Sequence, residues 1–169
     1  MLTVETEIAA DDWAVGKTWD ALAAAACAAA LAQTAHAHLD RAGYAVEVAV
    51  RLTDDAEVRT LNAQYRHQDK PTNVLSFPMV QPDLLDGLAN SDDGEVLLGD
   101  IVLAYETCAA EAVSKHIALL DHVGHLIVHG MLHLLGLDHG DDASAGHMEA
   151  LEIAACATLG LADPYADPD

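Results

Sequence analysis

Three histidines in the C-terminal half of the chain are spaced so that they could bind one metal ion. His129 and His133 are four residues apart, so their rings project from the same face of a helix. Gly136 follows the last apolar turn, where a left-handed residue can end a helix, and the chain can then fold back to bring His139 to the same point. Three imidazoles that leave a fourth position for water form the ligand set of a catalytic zinc site.

One residue between these histidines argues against peptidase chemistry. The offsets of the three histidines equal those of the metzincin pattern H-E-x-x-H-x-x-G-x-x-H, in which the glutamate is the general base. Gly130 stands at the position of that glutamate. A metal without an adjacent base can still polarise a substrate oxygen and acidify a bound water. We therefore expect a mechanism that depends on the metal and on a cation elsewhere in the chain.

Cations are few and unevenly distributed. The chain has 7 Lys and Arg against 28 Asp and Glu, a net charge of −21, and an acidic surface repels phosphate at long range. We interpret most of the carboxylates as a solubilising or salt-adapted surface. Arg59, Arg66 and Lys70 lie close together in sequence, with Arg59 and Arg66 on one face of a helix. We predict that these three form the only basic strip and that it faces the metal cleft.

Composition predicts one globular domain. The 169 residues are 52% hydrophobic, enough for a core of their own, and residues 1–169 are assigned to a single domain. Cys27, Cys108 and Cys156 form no C-x-x-C pair, which is typical of reduced thiols in a cytoplasmic protein. The alanine-rich run at residues 21–32 has no basic leader and is too short to cross a bilayer, so we expect a packed helix and no membrane association.

Hydrophobic periodicity predicts the elements that must position these residues. The predicted strands are residues 2–8, 44–52, 74–77 and 96–103. The predicted helices are residues 18–39, 54–65, 105–116, 119–135 and 145–159. A small sheet of about four strands packed by about five helices indicates an α+β fold, with the zinc site at the end of the fourth helix.

The second helix has its own start and stop signals. Asp54, with Glu57 three residues later, predicts a capping box, and Lys70–Pro71 is predicted to break the helix. Its inward-facing residues are predicted to be Val58, Leu61 and Tyr65. Residues 79–95 are predicted to form a polar loop.

Several polar groups near the histidines have more than one interpretation. Gly99 within a strand indicates a bulge or a close backbone approach. Asp100 either accepts a histidine N–H near the metal site or bonds backbone at the strand end, and both readings stay open. His122 and His125 continue the stripe of His129, and we interpret them as hydrogen-bonded wall residues rather than ligands.

These features together resemble the YbeY family of single-zinc bacterial endoribonucleases and rRNA maturation factors. The resemblance covers roughly the last two thirds of the chain, in the blocks Tyr65–Arg66, Lys70–Pro78, Leu98–Val102, Val128–Gly140, Met148–Glu152 and Asp163–Tyr165. It implies a mixed four-stranded sheet with the metal at one edge. It also implies that His129, His133 and His139 hold one zinc ion and that these histidines and Arg66 are the catalytic residues.

The function that the resemblance implies is cleavage of single-stranded RNA. The protein would be a zinc-dependent endoribonuclease in 16S rRNA 3′-end maturation and ribosome quality control, in the cytoplasm. Arg66 would clamp a phosphate or stabilise the charge that develops at phosphorus. The nucleophile is open: the metal supplies hydroxide, or it polarises the phosphate while the RNA 2′-OH attacks.

The implied partners are rRNA and the small ribosomal subunit or its assembly-factor proteins, with neither DNA nor membrane. Because cations are few, we hypothesise that a protein partner brings the RNA. Two other functions stay open: a metal-dependent hydrolase of another substrate class, and a non-enzymatic ribosome assembly factor with structural zinc. A fourth protein ligand, Asp138 or less readily Cys156, would favour structural zinc, whereas an open position would favour an enzyme.

Overall fold

The computed structural model describes residues 1–14, 17–41, 45–81, 84–85, 95–138 and 140–165. These residues form four strands, namely β1 (Leu2–Ile8), β2 (Ala45–Thr53), β3 (Val74–Pro78) and β4 (Glu95–Ala104). They also form five α-helices, namely α1 (Lys17–Ala32), α2 (Asp55–Arg66), α3 (Tyr105–Lys115), α4 (Leu119–Leu134) and α5 (Asp142–Thr158). The α+β fold predicted from the sequence is confirmed.

The strands form one mixed sheet in the order β1-β2-β4-β3. The pairs β1–β2 and β2–β4 are parallel, and β3 is antiparallel to β4. Helices α1, α4 and α5 pack against one another over one face, where the main hydrophobic core lies. We call this the covered face. On the other face, α2 packs over a smaller apolar cluster of Val58, Leu75, Val102 and Ala104.

The bulge predicted at Gly99 is present in β4. The register with β2 passes from Glu47 opposite Leu97 to Val48 opposite Gly99, so Leu98 is the extra residue. Gly99 has φ +151°, and a Cβ there would lie 2.3 Å from the carbonyl oxygen of Phe77. Only glycine fits this backbone conformation and this close approach of β3.

The first helix is shorter than predicted. It ends at Ala32 rather than residue 39, because the Thr34 hydroxyl donates a hydrogen bond to the Leu31 carbonyl at 2.8 Å. Such side-chain bonds compete with helical backbone bonds. A 3₁₀ segment, Ala37–Arg41, then buries Leu39. The alanine run continues the helical pattern in sequence, so periodicity alone did not show this break.

The last helix starts earlier than predicted. It begins at Asp142 because the Asp141 side chain accepts the Ser144 N–H at 2.7 Å, an N-cap contact. At the second strand, Ala45–Thr53 is described, whereas Tyr44 of the predicted strand lies outside the described residues. Most of the predicted 79–95 loop also lies outside them.

Both ends of α2 lie within one residue of the predicted range 54–65, but the residue that ends the helix is not the predicted one. Asp54 accepts the Glu57 N–H at 2.9 Å. The helix ends at Arg66, where His67 takes the left-handed conformation at φ 59°, and not at Lys70–Pro71. The prediction that Tyr65 is buried was wrong: it is 60% exposed, because α2 covers only part of its sheet face.

In the part of the chain that the structure describes, no single helix is long and apolar enough to cross a membrane. The bent pair α3 and α4 would be, together, by length and composition only.

Candidate functional site

A cleft of about 340 Å³ lies at one edge of the covered face. Its walls come from the end of α2, the segment that leads into β3, the end of α3, one face of α4 and the turn after α5. The residues that matter for chemistry are Arg66, Asn73, Ser76, Lys115, His125, His129, Gly130, His133 and Tyr165. We call this the cleft.

Two of the predicted metal ligands meet at the cleft. The Nε2 atoms of His129 and His133 lie 3.1 Å apart. Two nitrogens that bind one tetrahedral zinc ion at ~2.0–2.1 Å are about 3.3 Å apart, so this spacing fits a shared ion. Helix α4 ends as predicted, with Gly136 at φ 90° and the Leu137 N–H bonded to the Leu132 carbonyl at 3.0 Å.

The third predicted ligand, His139, lies outside the described residues. Within the described ranges up to Asp138 and from Gly140 on, no group of three or more His, Cys, Asp or Glu side chains is placed to hold a metal ion. The three-histidine site therefore stays a prediction. Cys156, the weaker candidate for a fourth ligand, is fully buried, and burial raises the pKa of its thiol to about 11.

Gly130 allows α4 to lie directly against the sheet. A Cβ at this position would lie 2.9 Å from Cγ2 of Ile101 in β4. A glutamate here would have to displace a core residue before its carboxylate reached any substrate. The absence of a general base at this position, first inferred from the sequence, thus has a steric basis.

A buried carboxylate that sequence reasoning missed holds the outer side of the histidine stripe. Glu152 of α5 is 1% exposed. Its Oε1 bonds Nδ1 of His129 at 2.5 Å, and its Oε2 bonds Nε2 of His125 at 2.9 Å. The Tyr165 hydroxyl also donates to Oε2. Burial raises the pKa of Glu152, but these three hydrogen bonds outweigh burial and lower it to about 2.

A second carboxylate pairs with the first histidine of the stripe. Nε2 of the buried His122 lies 2.9 Å from Oε1 of Glu111, which also accepts the side-chain N–H of Asn73 at 2.9 Å. Burial lowers the pKa of His122, and the Glu111 carboxylate only partly offsets this. His122 and His125 each have a carboxylate partner, as expected of wall residues.

The cations are arranged differently from the predicted strip. Arg66 does line the cleft, and its guanidinium donates to the Ser76 carbonyl at 3.0 Å. Arg59 lies two turns further back on α2, away from the cleft, and pairs with Asp69 at 2.8 Å. Lys70 is not part of the cleft lining, whereas Lys115 is. The strip prediction was therefore wrong for Arg59 and Lys70, and it missed Lys115.

Lys115 had a sequence signal of its own. Like Arg66, it is the last residue of its helix, where a cation interacts favourably with the helix dipole. Sequence spacing could not show that the ends of α2 and α3 meet at one cleft.

Asp100 lies on the opposite face of the sheet from the histidines. It lines a larger groove of about 690 Å³, together with Arg51, Glu57, Phe77 and Met79. We call this the groove. Side chains alternate along β4, so that Ile101 points to α4 and Asp100 away from it. Asp100 therefore does not contact the histidines.

Comparisons with known proteins agree on one family. A family model described as Endoribonuclease YbeY matches residues 12–160. A Sphingopyxis alaskensis protein named Endoribonuclease YbeY is 64% identical over 169 residues, which covers 100% of both chains. One of the same name from Rhizorhabdus wittichii is 58% identical, covering 96% of this chain and 97% of the relative.

One solved structure shares the fold. The solution structure of TM1509 from Thermotoga maritima matches with a TM-score of 0.53 and 20% identity, and the match covers 99% of this chain and 100% of that one. At this identity, the similarity concerns the fold alone.

Proposed function

The chain belongs to the YbeY family, and from that premise we propose that it is a zinc-dependent endoribonuclease that cleaves single-stranded RNA. The observation that carries the proposal is the cleft itself. It combines a pair of convergent histidines, a buried carboxylate behind them and two cations from separate helices. These are the groups that binding and cleaving a phosphodiester require.

The distribution of cations supports binding of a phosphate in the cleft. Arg51 is engaged with Glu7 and Glu57, and Arg59 with Asp69. Arg66 and Lys115, in contrast, line the cleft. A guanidinium has five N–H donors, so Arg66 can bond the Ser76 carbonyl and still present a fork to a phosphate.

The proposed metal is one zinc ion held by His129, His133 and His139. When bound, it would supply Lewis-acid chemistry at the phosphodiester. Arg66 and Lys115 would hold the phosphate against it and counter the charge that develops at phosphorus. Gly130 leaves no room for the base that peptide hydrolysis needs, so the peptidase version of a metal-dependent hydrolase is disfavoured.

The proposed setting is the cytoplasm, with 16S rRNA 3′-end maturation and ribosome quality control as the process. A net charge of −21 opposes tight binding to free RNA. We therefore include the small ribosomal subunit or an assembly-factor protein as the partner that delivers the RNA. Tight, salt-sensitive binding of the isolated protein to naked RNA would contradict this part of the proposal.

The test compares wild type, His133→Ala, Arg66→Ala and Arg59→Ala, purified identically. Each is incubated with the 3′ fragment of a small-subunit rRNA precursor, with and without chelator. We expect chelator-sensitive cleavage by wild type and Arg59→Ala, and its loss in His133→Ala and Arg66→Ala. Arg59→Ala is the matched control, since it removes an arginine from the same helix outside the cleft.

Equal cleavage by all four proteins would indicate a contaminating nuclease and would contradict the proposal. Zinc-dependent stabilisation without cleavage would favour the assembly factor with structural zinc. A 2′,3′-cyclic phosphate on the product would identify the RNA 2′-OH as the nucleophile, and its absence would favour water.

A further inference from the structure

We propose that Glu152, held in place by Tyr165, is a positioning residue that fixes the ring orientation and tautomer of His129 for metal binding. The inference rests on the proposed function, since it concerns the same site. It adds Glu152 of α5, and Tyr165 of the turn after α5, to the residues that act in the cleft.

The location of Glu152 is unusual for a residue that only supports packing. It is 1% exposed on the inner face of α5, where its neighbours Met148, Ala155 and Cys156 are apolar. Within the part of the chain that the structure describes, no Lys or Arg pairs with it, and its partners are two histidines and a tyrosine. A buried carboxylate without a cationic partner is costly, which indicates a role other than stability.

The bond to His129 determines which nitrogen is available to a metal. An ionised carboxylate only accepts hydrogen bonds, so its contact with His129 requires a proton on Nδ1. The lone pair then lies on Nε2, the atom that faces Nε2 of His133. Metal-binding histidines commonly have their second nitrogen bonded to a carboxylate in this way.

The other carboxylate oxygen explains why Glu152 keeps this orientation. Oε2 accepts the Tyr165 hydroxyl and lies 2.9 Å from Nε2 of His125. Tyr165 is itself fixed by its N–H, which donates to Oδ1 of Asp163 at 2.8 Å. The carboxylate plane is thus set from both sides, and rotation of Glu152 would break bonds to both His125 and Tyr165.

The molecule contains a matched control on the same histidine helix. Glu111 of α3 and His122 of α4 form the same type of carboxylate–histidine pair, at 2.9 Å. Within the part of the chain that the structure describes, neither Glu111 nor His122 hydrogen-bonds His129 or His133. Removing the charge of Glu111 therefore tests the loss of such a pair without touching the proposed ligands.

The experiment uses the full chain, prepared metal-free, as wild type, Glu152→Gln, Tyr165→Phe and Glu111→Gln. Zinc affinity is measured by competition with a chromogenic chelator. We expect Glu152→Gln to lower it about 10- to 100-fold, Tyr165→Phe to lower it less, and Glu111→Gln to leave it within about twofold. Should Glu152→Gln fail to fold, the comparison of Tyr165→Phe with Glu111→Gln decides the question.

A second readout does not involve metal. Long-range ¹H–¹⁵N spectra of the metal-free protein at pH 8, with the His129 signals assigned by His129→Gln, report its tautomer. We expect Nδ1–H in wild type and Glu111→Gln, and a mixture in Glu152→Gln. Unchanged affinity and tautomer in a folded Glu152→Gln would overturn the inference. Wild type that binds no zinc would instead overturn the proposed metal site, and tight zinc binding without RNA cleavage would overturn only the nuclease activity.

Discussion

The cleft and the groove lie on opposite faces of the same sheet, and the larger of the two is the less equipped for chemistry. The groove, at about 690 Å³, is twice the size of the cleft, at about 340 Å³. Its best-placed cation, Arg51, is engaged by Glu7 and Glu57. The smaller cleft contains convergent histidines backed by a buried carboxylate. Volume alone therefore does not indicate which cavity is equipped for chemistry, whereas polar groups held at a cost to stability do.

The two cavities also have different origins. The groove remains because α2 covers only part of its sheet face, which leaves Tyr65 60% exposed. The cleft forms where the C-terminal ends of α2 and α3 meet α4 and the turn after α5. The comparison predicts that substitutions of polar side chains in the cleft affect activity, that tighter packing at the cleft affects stability, and that substitutions in the groove affect stability alone.

The largest expected effect on stability comes from the close approach of Gly130 in α4 to Ile101 in β4, which we call the cleft floor. Gly130→Ala should destabilise the protein by about 1–3 kcal/mol, since the new Cβ would lie 2.9 Å from Ile101. Gly146→Ala in α5 is the control: nothing lies within 4 Å of its Cβ, and it should stabilise by about 0.5–1 kcal/mol. Urea unfolding measures both. Equal effects would mean that the cleft floor is no more tightly packed than an open helix face.

The next prediction compares an arginine substitution in the groove with one in the cleft, by stability and by RNA cleavage. Arg51→Met in the groove should lower stability by at most about 1 kcal/mol, because the ion pairs are partly exposed and screened by solvent, and RNA cleavage should not change. Arg66→Ala in the cleft should abolish RNA cleavage and leave stability nearly unchanged. Thermal unfolding and the rRNA-fragment assay measure the two properties. Loss of cleavage in Arg51→Met would show that the groove takes part in function.

The ion pair of Arg51 and Glu57 in the groove predicts that stability depends on pH. Hydrogen bonds from Arg51 hold the pKa of Glu57 below its ordinary value. The resulting stability is present above the unfolded pKa of about 4.3 and is lost as pH falls through the lower folded value. The stability difference between wild type and Arg51→Met should therefore shrink below about pH 4. A constant difference down to pH 3 would show that the pair is not the cause.

The smallest effect concerns the helix ends that carry the cleft cations. His67 follows Arg66 and His116 follows Lys115, and both are left-handed, at φ 59° and 58°. Glycine adopts this conformation without a Cβ penalty, so His67→Gly and His116→Gly should each stabilise by about 0.5–1 kcal/mol. Chemical denaturation of the single and double variants measures this. Destabilisation by either variant would mean that the histidine ring makes contacts worth more than the strain.

Local patterns predicted the elements well and their ends less well. Periodicity located the four strands and five α-helices of the described residues, and the cap at Asp54 was correct because it depends on a residue three positions away. The stop signal of α2 was missed because His67 replaces the glycine that usually marks such a position. The end of α1 was missed because the alanine run continues the helical pattern in sequence, so that periodicity alone does not show where the helix ends.

The candidate site was predictable only where its spacing is local. His129 and His133 meet because one helical turn brings them together. Glu152 reaches His129 across 23 residues of sequence, through the packing of α5 on α4. A charged residue within the apolar face of the last helix was the available signal, and it indicates a buried partner without identifying it. Arg59 was placed wrongly because a shared helix face says nothing about position along the axis.

The bulge in β4 changes the parity of the strand. In a regular strand, two residues three positions apart point to opposite sides. Leu98 and Ile101 are three apart and yet both are fully buried in the core of the covered face, because the extra residue at the bulge shifts the alternation by one. The inward-facing positions of β4 therefore follow one alternation up to Leu98 and the opposite alternation after it, where Ile101 lies beneath Gly130. Deleting the extra residue Leu98 would restore regular alternation and leave both halves of the strand on their present faces, whereas the undeleted sequence paired without a bulge would turn one half inside out.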